Sequence, residues 1–240
     1  MEETKLTFER YEKKYLLSPG DYAALRERLD PYIEPDDYPS STVCSLYYDS
    51  EDYRLIRHSI EGPVYKEKLR LRSYSVPGDE DQVFVELKKK FKGIVYKRRV
   101  AMPERRATAW LAGRGRPERE SQMTREIDYF LSLYRPAAKL YLACDRTAWR
   151  GKEDAELRIT FDRNIRWRQS MLDLREGDEG EPLLDEGQVL MEIKLPEAAP
   201  LWLARMLSEL KLFPVSFSKY GSCYKRHILD DYIKEVVLHV

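Results

Sequence analysis

Lys66, Lys68, Arg70 and Arg72 stand at every second position of the run KEKLRLR. A β-strand sends alternate side chains to opposite faces, so this spacing gathers four cations on one face and sets Leu69 and Leu71 on the other. Arg and Lys in that density suit one chemistry above others. They hold phosphate oxygens through charge-assisted hydrogen bonds. On an isolated strand the same pattern describes an ordinary half-buried strand with its charges in water. Here it returns along the chain. Arg10, Glu12 and Lys14 alternate in residues 7–17; Glu86 and Lys88 do so in 82–90, and Lys97 and Arg99 in 94–100. Arg146, then Arg158, then Glu192 with Lys194 occupy equivalent positions in runs 139–149, 155–162 and 189–195. The few carboxylates in this set, Glu12, Glu86 and Glu192, are hard oxygen donors of the kind that hold Mg²⁺ or Mn²⁺ against phosphate.

The elements that must position these residues follow from local pattern. Residues 41–49 and 64–74 read as strands by β-branched, aromatic and alternating content. Runs 82–90 and 94–100, joined through Lys92-Gly93, read as an antiparallel hairpin. Ser18-Pro19 opens a helix that Pro31 and Pro35 end. Further helices are expected over 51–61, 103–112, 118–134 and 196–212, with a partly helical C-terminal run. The acidic, glycine-containing stretch 173–187 reads as a long exposed loop.

Totals set the outer limits. The 240 residues carry 42 Lys+Arg against 42 Asp+Glu, a net charge of zero, with 42% hydrophobic residues. That supports a real core, and it argues against a nucleic-acid binder with a basic outer face, which tips basic overall. Cys44, Cys144 and Cys223 are odd in number and far apart, so buried, reduced thiols are expected, not a disulfide framework or zinc site. The opening residues are too polar for a signal peptide, and no apolar run reaches the roughly 20 residues of a membrane span. A cytoplasmic location is expected. Neither a repeat nor a clean linker interrupts the chain, so residues 1–240 are expected to form one domain.

About eight alternating strands admit two geometries. A sandwich would bury the apolar faces and leave the charged faces in water. A closed antiparallel barrel would turn the charges inward and pack the helices outside. Two details favour the barrel: Arg and Lys recur at i, i+2 and i+4, where like charges repel without a counter-charge among them, and the amphipathic helices need an apolar surface to cover.

In order along the chain, EKKYL (12–16), SLYYDS, KLRLR, VELK, YKRR, DRTAW, LRITFD, MEIKL and FSKY resemble the polyphosphate polymerase (VTC) domain over about residues 7–228. That family lies within the CYTH-like triphosphate tunnel metalloenzymes. The resemblance implies an α+β fold, a closed antiparallel β-tunnel with helices outside. It implies transfer of the γ-phosphate of a nucleoside triphosphate to a growing polyphosphate chain with Mn²⁺ or Mg²⁺. By motif position it implies catalytic roles for Arg70, Arg72, Lys88, Lys97, Arg146 and Arg158. Lys14, Lys68, Arg99, Lys194, Ser218, Lys219 and Arg10 would bind substrate; Glu192, Glu12 and Glu86 would bind metal. Arg10 stands where the wider superfamily has the first Glu of its ExExK motif. A membrane-protein partner is implied by family analogy alone, and no nucleic-acid partner is expected. Three other readings stay open: a triphosphatase in the same tunnel, a non-catalytic polyphosphate-binding module, and an RNA binder, the last disfavoured by the neutral net charge.

Overall fold

The computed structural model describes residues 11–92, 94–196 and 198–238. The strands are β1 (Tyr11–Leu17), β2 (Ile33–Asp49), β3 (Tyr65–Ser73), β4 (Gln82–Phe91), β5 (Ile94–Pro103), β6 (Ala137–Gly151), β7 (Arg158–Arg168), β8 (Glu181–Pro182) and β9 (Val189–Leu195). The helices are α1 (Pro19–Leu29), α2 (Arg54–Ile60), α3 (Glu104–Leu111), α4 (Gln122–Tyr134), α5 (Leu201–Glu209), α6 (Lys219–Cys223) and α7 (Leu229–Leu238), with a π-helical turn at Tyr224–Ile228 before α7. The antiparallel sheet runs β1-β9-β7-β6-β2-β3-β4-β5, with β8 paired to β7.

This order corrects the expected closed barrel. Among the described residues no pairing joins β1 to β5, and the sheet does not close. Alternation decides which residues share a face. Closure depends on strand tilt and stagger, which alternation does not encode.

The chain divides into two compact units. The first takes the described residues up to Thr42, Cys144–Ile165 and Leu184–Phe217; the second takes Val43–Ala143, Arg166–Leu183 and the described residues from Ser218 onward. In the first unit, Leu17, Ile159, Phe161, Met191 and Ile193 form a buried apolar sheet face. Leu25 and Leu29 of α1 pack on it with Leu203 and Met206 of α5. Ser18 caps α1, its Oγ accepting from Asp21 N while the Asp21 carboxylate takes Ser18 N and Oγ. In the second unit, Leu46, Leu69, Leu71, Val83, Val85 and Leu87 form the equivalent face under Trp110 of α3 and Ile127 and Phe130 of α4. Burial along β3 alternates residue by residue, as its period-two pattern requires.

Several boundaries differ from expectation for physical reasons. β2 starts at Ile33, eight residues before the expected 41, although Pro35 and Pro39 lie within it; proline is tolerated in a strand wherever its missing N–H is not needed by a ladder. α2 starts at Arg54, not 51, because Asp49 and Ser50 cap it from a distance. Asp49 Oδ1 accepts from Leu55 N at 2.9 Å and Oδ2 from Ile56 N at 3.0 Å, while Ser50 Oγ accepts from Arg54 N at 3.0 Å. α5 waits until Leu201, after Pro200. The acidic stretch is not a free loop. The Arg168 guanidinium donates to the carbonyls of Met171, Asp173, Gly177 and Glu179, and Leu174 and Leu183 are buried. The three cysteines are buried and form no disulfide, as expected, and among the described residues no helix is long and apolar enough to cross a membrane.

The asymmetry of the sheet faces is directly measurable. Leu71→Ala, at a fully buried position, is expected to lose about 2–5 kcal/mol of stability to chemical denaturation. Val95→Ala, at an exposed position, should change it by about 0.5 kcal/mol or less. Equal losses at the two positions would contradict the burial pattern.

Candidate phosphate-binding site

Strand register assembles the second unit's charged face. Tyr47 lies opposite Arg70, Arg70 opposite Glu86, and Glu86 opposite Arg99. One row along, Lys68 lies opposite Lys88, and Lys88 opposite Lys97. A row of three lysines at directly paired positions is repulsive on its own.

Glu86 is the counter-charge within this face. Its side chain is 1% exposed. Oε2 accepts from Arg70 Nε at 2.7 Å, with Arg70 Nη2 at 2.6 Å and Arg72 Nη1 at 3.8 Å; Oε1 has Lys97 Nζ at 2.6 Å and Arg99 Nε at 3.1 Å. Four cations thus share one carboxylate. Burial pushes the Glu86 carboxyl up, but Arg70, Arg72 and Lys97 outweigh it and hold it well below the usual range. Burial lowers Lys97, and Glu86 only partly restores it against Arg70 and Arg72. Arg99 is fixed further by its guanidinium over the Phe84 ring at 3.7 Å and by donation to Tyr74 Oη at 2.6 Å. Arg72 Nε donates to Ser45 Oγ at 3.3 Å. At the start of α6, Ser218 Oγ accepts from Lys68 Nζ at 3.1 Å and from Gly221 N at 3.3 Å, which puts Lys68 and Ser218 at one end of this face, with Lys219 next in the chain.

The first unit carries a second cluster. Lys14 lies opposite Glu192, and Glu192 opposite Thr160; Glu12 lies opposite Lys194, and Lys194 opposite Arg158. Glu192 Oε1 meets Lys194 Nζ at 2.6 Å and Oε2 meets Lys14 Nζ at 3.8 Å, while Lys14 also meets Glu12 at 3.1 Å and donates to Phe217 O at 3.1 Å. Burial raises the Glu192 carboxyl, and Lys194 and Lys14 overcome it and hold it well below the ordinary carboxylate range. Arg146 is clamped by Asp162, Nε to Oδ1 at 2.6 Å and Nη2 to Oδ2 at 2.8 Å. Arg158 reaches Asp36 at 3.2 Å.

The expected residues therefore fall into two sets. Lys68, Arg70, Arg72, Glu86, Lys88, Lys97, Arg99, Ser218 and Lys219 belong to the second unit; Glu12, Lys14, Arg146, Arg158, Glu192 and Lys194 belong to the first. Arg10 lies outside the described residues. Tyr47 and Asp162 emerge only from the structure. Alternation places Asp162 on the face of Arg158, and Tyr47 sits in SLYYDS, but neither pattern shows the partner.

Among the described residues no group of three His, Cys, Asp or Glu forms a metal cage. The donor set fits a different arrangement. Mg²⁺-type ions take one or two carboxylates and complete their shell with water and substrate phosphates. Glu192 and Glu12 supply two carboxylates on one ammonium, and the buried Thr160 Oγ1, opposite Glu192 in register, makes no hydrogen bond. Both oxygens of Glu86 and of Glu192 face cations, four around Glu86 and two around Glu192, so Glu192 is the less committed of the two carboxylates.

The VTC domain sequence family matches residues 9–228. The chain belongs to the VTC domain family. No curated protein matches it. Among solved structures, a Bacillus halodurans protein provisionally described as an adenylate cyclase shares its fold at a TM-score of 0.57 and 14% identity, covering 93% of this chain and 97% of that one. A Pyrococcus horikoshii protein matches at 0.48 and 12% identity over 91% and 99% of the two chains. In this VTC domain, then, the clusters on Glu86 and Glu192 both lie within the matched residues.

The depressed carboxylates fix a sign. A carboxyl held below its unfolded value stabilises the fold above that value, and the contribution fades as pH falls toward the folded one. Glu192→Gln should therefore cost more stability at neutral pH than at pH 3, well below the ordinary carboxyl value of 4.5. Urea unfolding at both pH values checks this; a pH-independent difference would contradict it.

Proposed function

We propose that this chain is a metal-dependent phosphotransferase of the polyphosphate polymerase type. It would move the γ-phosphate of a nucleoside triphosphate onto the end of a growing polyphosphate. The observation that supports this most is the four-cation cluster on Glu86 beside the Lys68–Lys88–Lys97 row. A face so charged is favourable when a polyanion covers it.

Phosphoryl transfer needs alignment and charge neutralisation more than covalent chemistry from the protein. Arg70, Arg72, Lys88 and Lys97 would clamp the phosphates, with Glu86 keeping the guanidinium and ammonium groups aimed. Lys14, Lys68, Arg99, Lys194, Ser218, Lys219 and Arg10 would extend the binding of the chain. Arg146, fixed by Asp162, and Arg158 would neutralise charge as it develops, as preorganised cations do at low reorganisation cost. Glu192 and Glu12 would hold Mn²⁺ or Mg²⁺. When bound, that ion supplies further neutralisation at phosphoryl oxygens. We assign Glu86 the role of counter-charge and not that of a metal ligand.

Incubation with ATP and Mn²⁺ should yield acid-insoluble polyphosphate. Orthophosphate alone would identify a triphosphatase, and no turnover with Mg²⁺, Mn²⁺ or Co²⁺ would leave a binding module. Arg70→Ala should lower turnover roughly 100-fold or more, the scale of losing one preorganised charge donor; undiminished activity would remove Arg70 from the clamp. Glu192→Gln should raise the Mn²⁺ concentration for half-activity by roughly 10-fold or more, and an unchanged metal titration would remove that ligand.

A further inference from the structure

The second unit contains a buried polar chain that leads to the charged face from behind. Asp49 is fully buried. Besides capping α2, its Oδ2 accepts from Tyr220 Oη at 2.9 Å. Tyr220 follows Ser218 and Lys219 on α6, and its ring lies 5.0 Å from that of Tyr47, tilted by 37°. The Tyr47 side chain is on the face of β2 that carries Ser45, and its Oη accepts from Arg70 Nη1 at 3.2 Å. Arg70 thus has two partners, the Glu86 carboxylate and this phenol. A phenol that accepts from a guanidinium still has a proton to donate.

We propose that Tyr47 is a substrate-contacting residue, its hydroxyl donating to an oxygen of a bound phosphate while it accepts from Arg70, and that Tyr220 and Asp49 are positioning residues that hold its ring and the Ser218–Lys219 segment. This rests on the reading of the face as a polyphosphate site. It adds a phenol donor to a set made of cations and the Ser218 hydroxyl, one able to tell a phosphate oxygen from a simple counter-ion by direction.

The electrostatics point the same way. Burial alone would push the Tyr47 phenol up, but Arg70, Arg72 and Lys68 of β3 outweigh it and bring it down to about 8. Tyr220 goes the other way, held well above the ordinary value by burial and by Asp49. Glu86 of β4 acts on the phenol through Arg70. Above pH 8 the free protein would lose the donor and gain a negative charge next to Arg70. Phosphate affinity should then fall.

The test is calorimetric binding of inorganic tripolyphosphate, without metal, to the wild type and Tyr47→Phe across neutral to alkaline pH. Phe keeps the ring that packs on Tyr220. At neutral pH the variant should bind roughly 3–10-fold more weakly, the scale of one hydrogen bond. The wild type should lose further affinity as pH rises through 8, and the variant should lack that step. Ionisation of tripolyphosphate itself affects both proteins alike. Tyrosinate absorbance provides a second measurement. Burial raises Tyr74, but Arg72 and Arg99 bring it below its usual value as well, so the step that reports Tyr47 is the one near pH 8 that Tyr47→Phe removes; it should shift upward in the wild type when tripolyphosphate is added. Matching affinities and pH profiles, or no tripolyphosphate-responsive step that Tyr47→Phe removes, would overturn the assignment of Tyr47. Failure of the wild type to bind at all would overturn the underlying reading of the face, and the assignment with it.

Discussion

The second unit is organised around one buried carboxylate and the cations gathered on it. One buried carboxylate, Glu86, is shared by Arg70, Arg72, Lys97 and Arg99, while Lys68, Lys88 and Lys97 stand at directly paired positions on three adjacent strands. Taking the Glu86 carboxylate out of water would cost several kcal/mol if it were unpaired, and the four cations compensate it, while Lys88 and Lys97 stay exposed. The opposite face of the same strands buries Leu69, Leu71, Val83, Val85 and Leu87 beneath α3 and α4. Stability is supplied on one side of the sheet, and a concentration of positive charge stands on the other. A row of paired lysines is a poor choice for a merely solvated surface and a reasonable one for a surface that binds phosphate.

The first unit solves a related problem with different residues. Its cations are matched more closely: Arg146 with Asp162, Arg158 with Asp36, and Lys14 and Lys194 with Glu192. Carboxylates are abundant enough here to serve as oxygen donors, and Thr160, whose buried hydroxyl makes no hydrogen bond, stands opposite Glu192 in register. Similar strands with similar spacing therefore carry different chemistry, one face rich in cations and one with carboxylate donors.

Much of this was legible in the sequence, because face membership depends only on a period of two. Arg70 and Arg72, Lys97 and Arg99, and Glu192 with Lys194 each share a face as their spacing requires. Apolar stripes on α4 and α5 likewise found the apolar faces. What alternation cannot carry is register. Spacing sets Glu86 among cations, but that it lies opposite both Arg70 and Arg99 is a matter of register. Closure of the sheet was misjudged for the same reason, since it depends on stagger across strands. The acidic stretch misled because Arg168 anchors it through backbone carbonyls, which every sequence possesses. Tyr47 was hidden because its role depends on Tyr220, 173 residues later in the chain.

The account's central claim is that the cations around Glu86 form a phosphate-binding surface. A crystal structure with tripolyphosphate bound tests it most directly. The account predicts phosphate oxygens in contact with Arg70, Arg72 and Lys97 on the β3-β4-β5 face, with the Glu86 carboxylate still among the cations behind them. Tripolyphosphate seated elsewhere, with the Glu86 cluster unchanged and open to water, would contradict it.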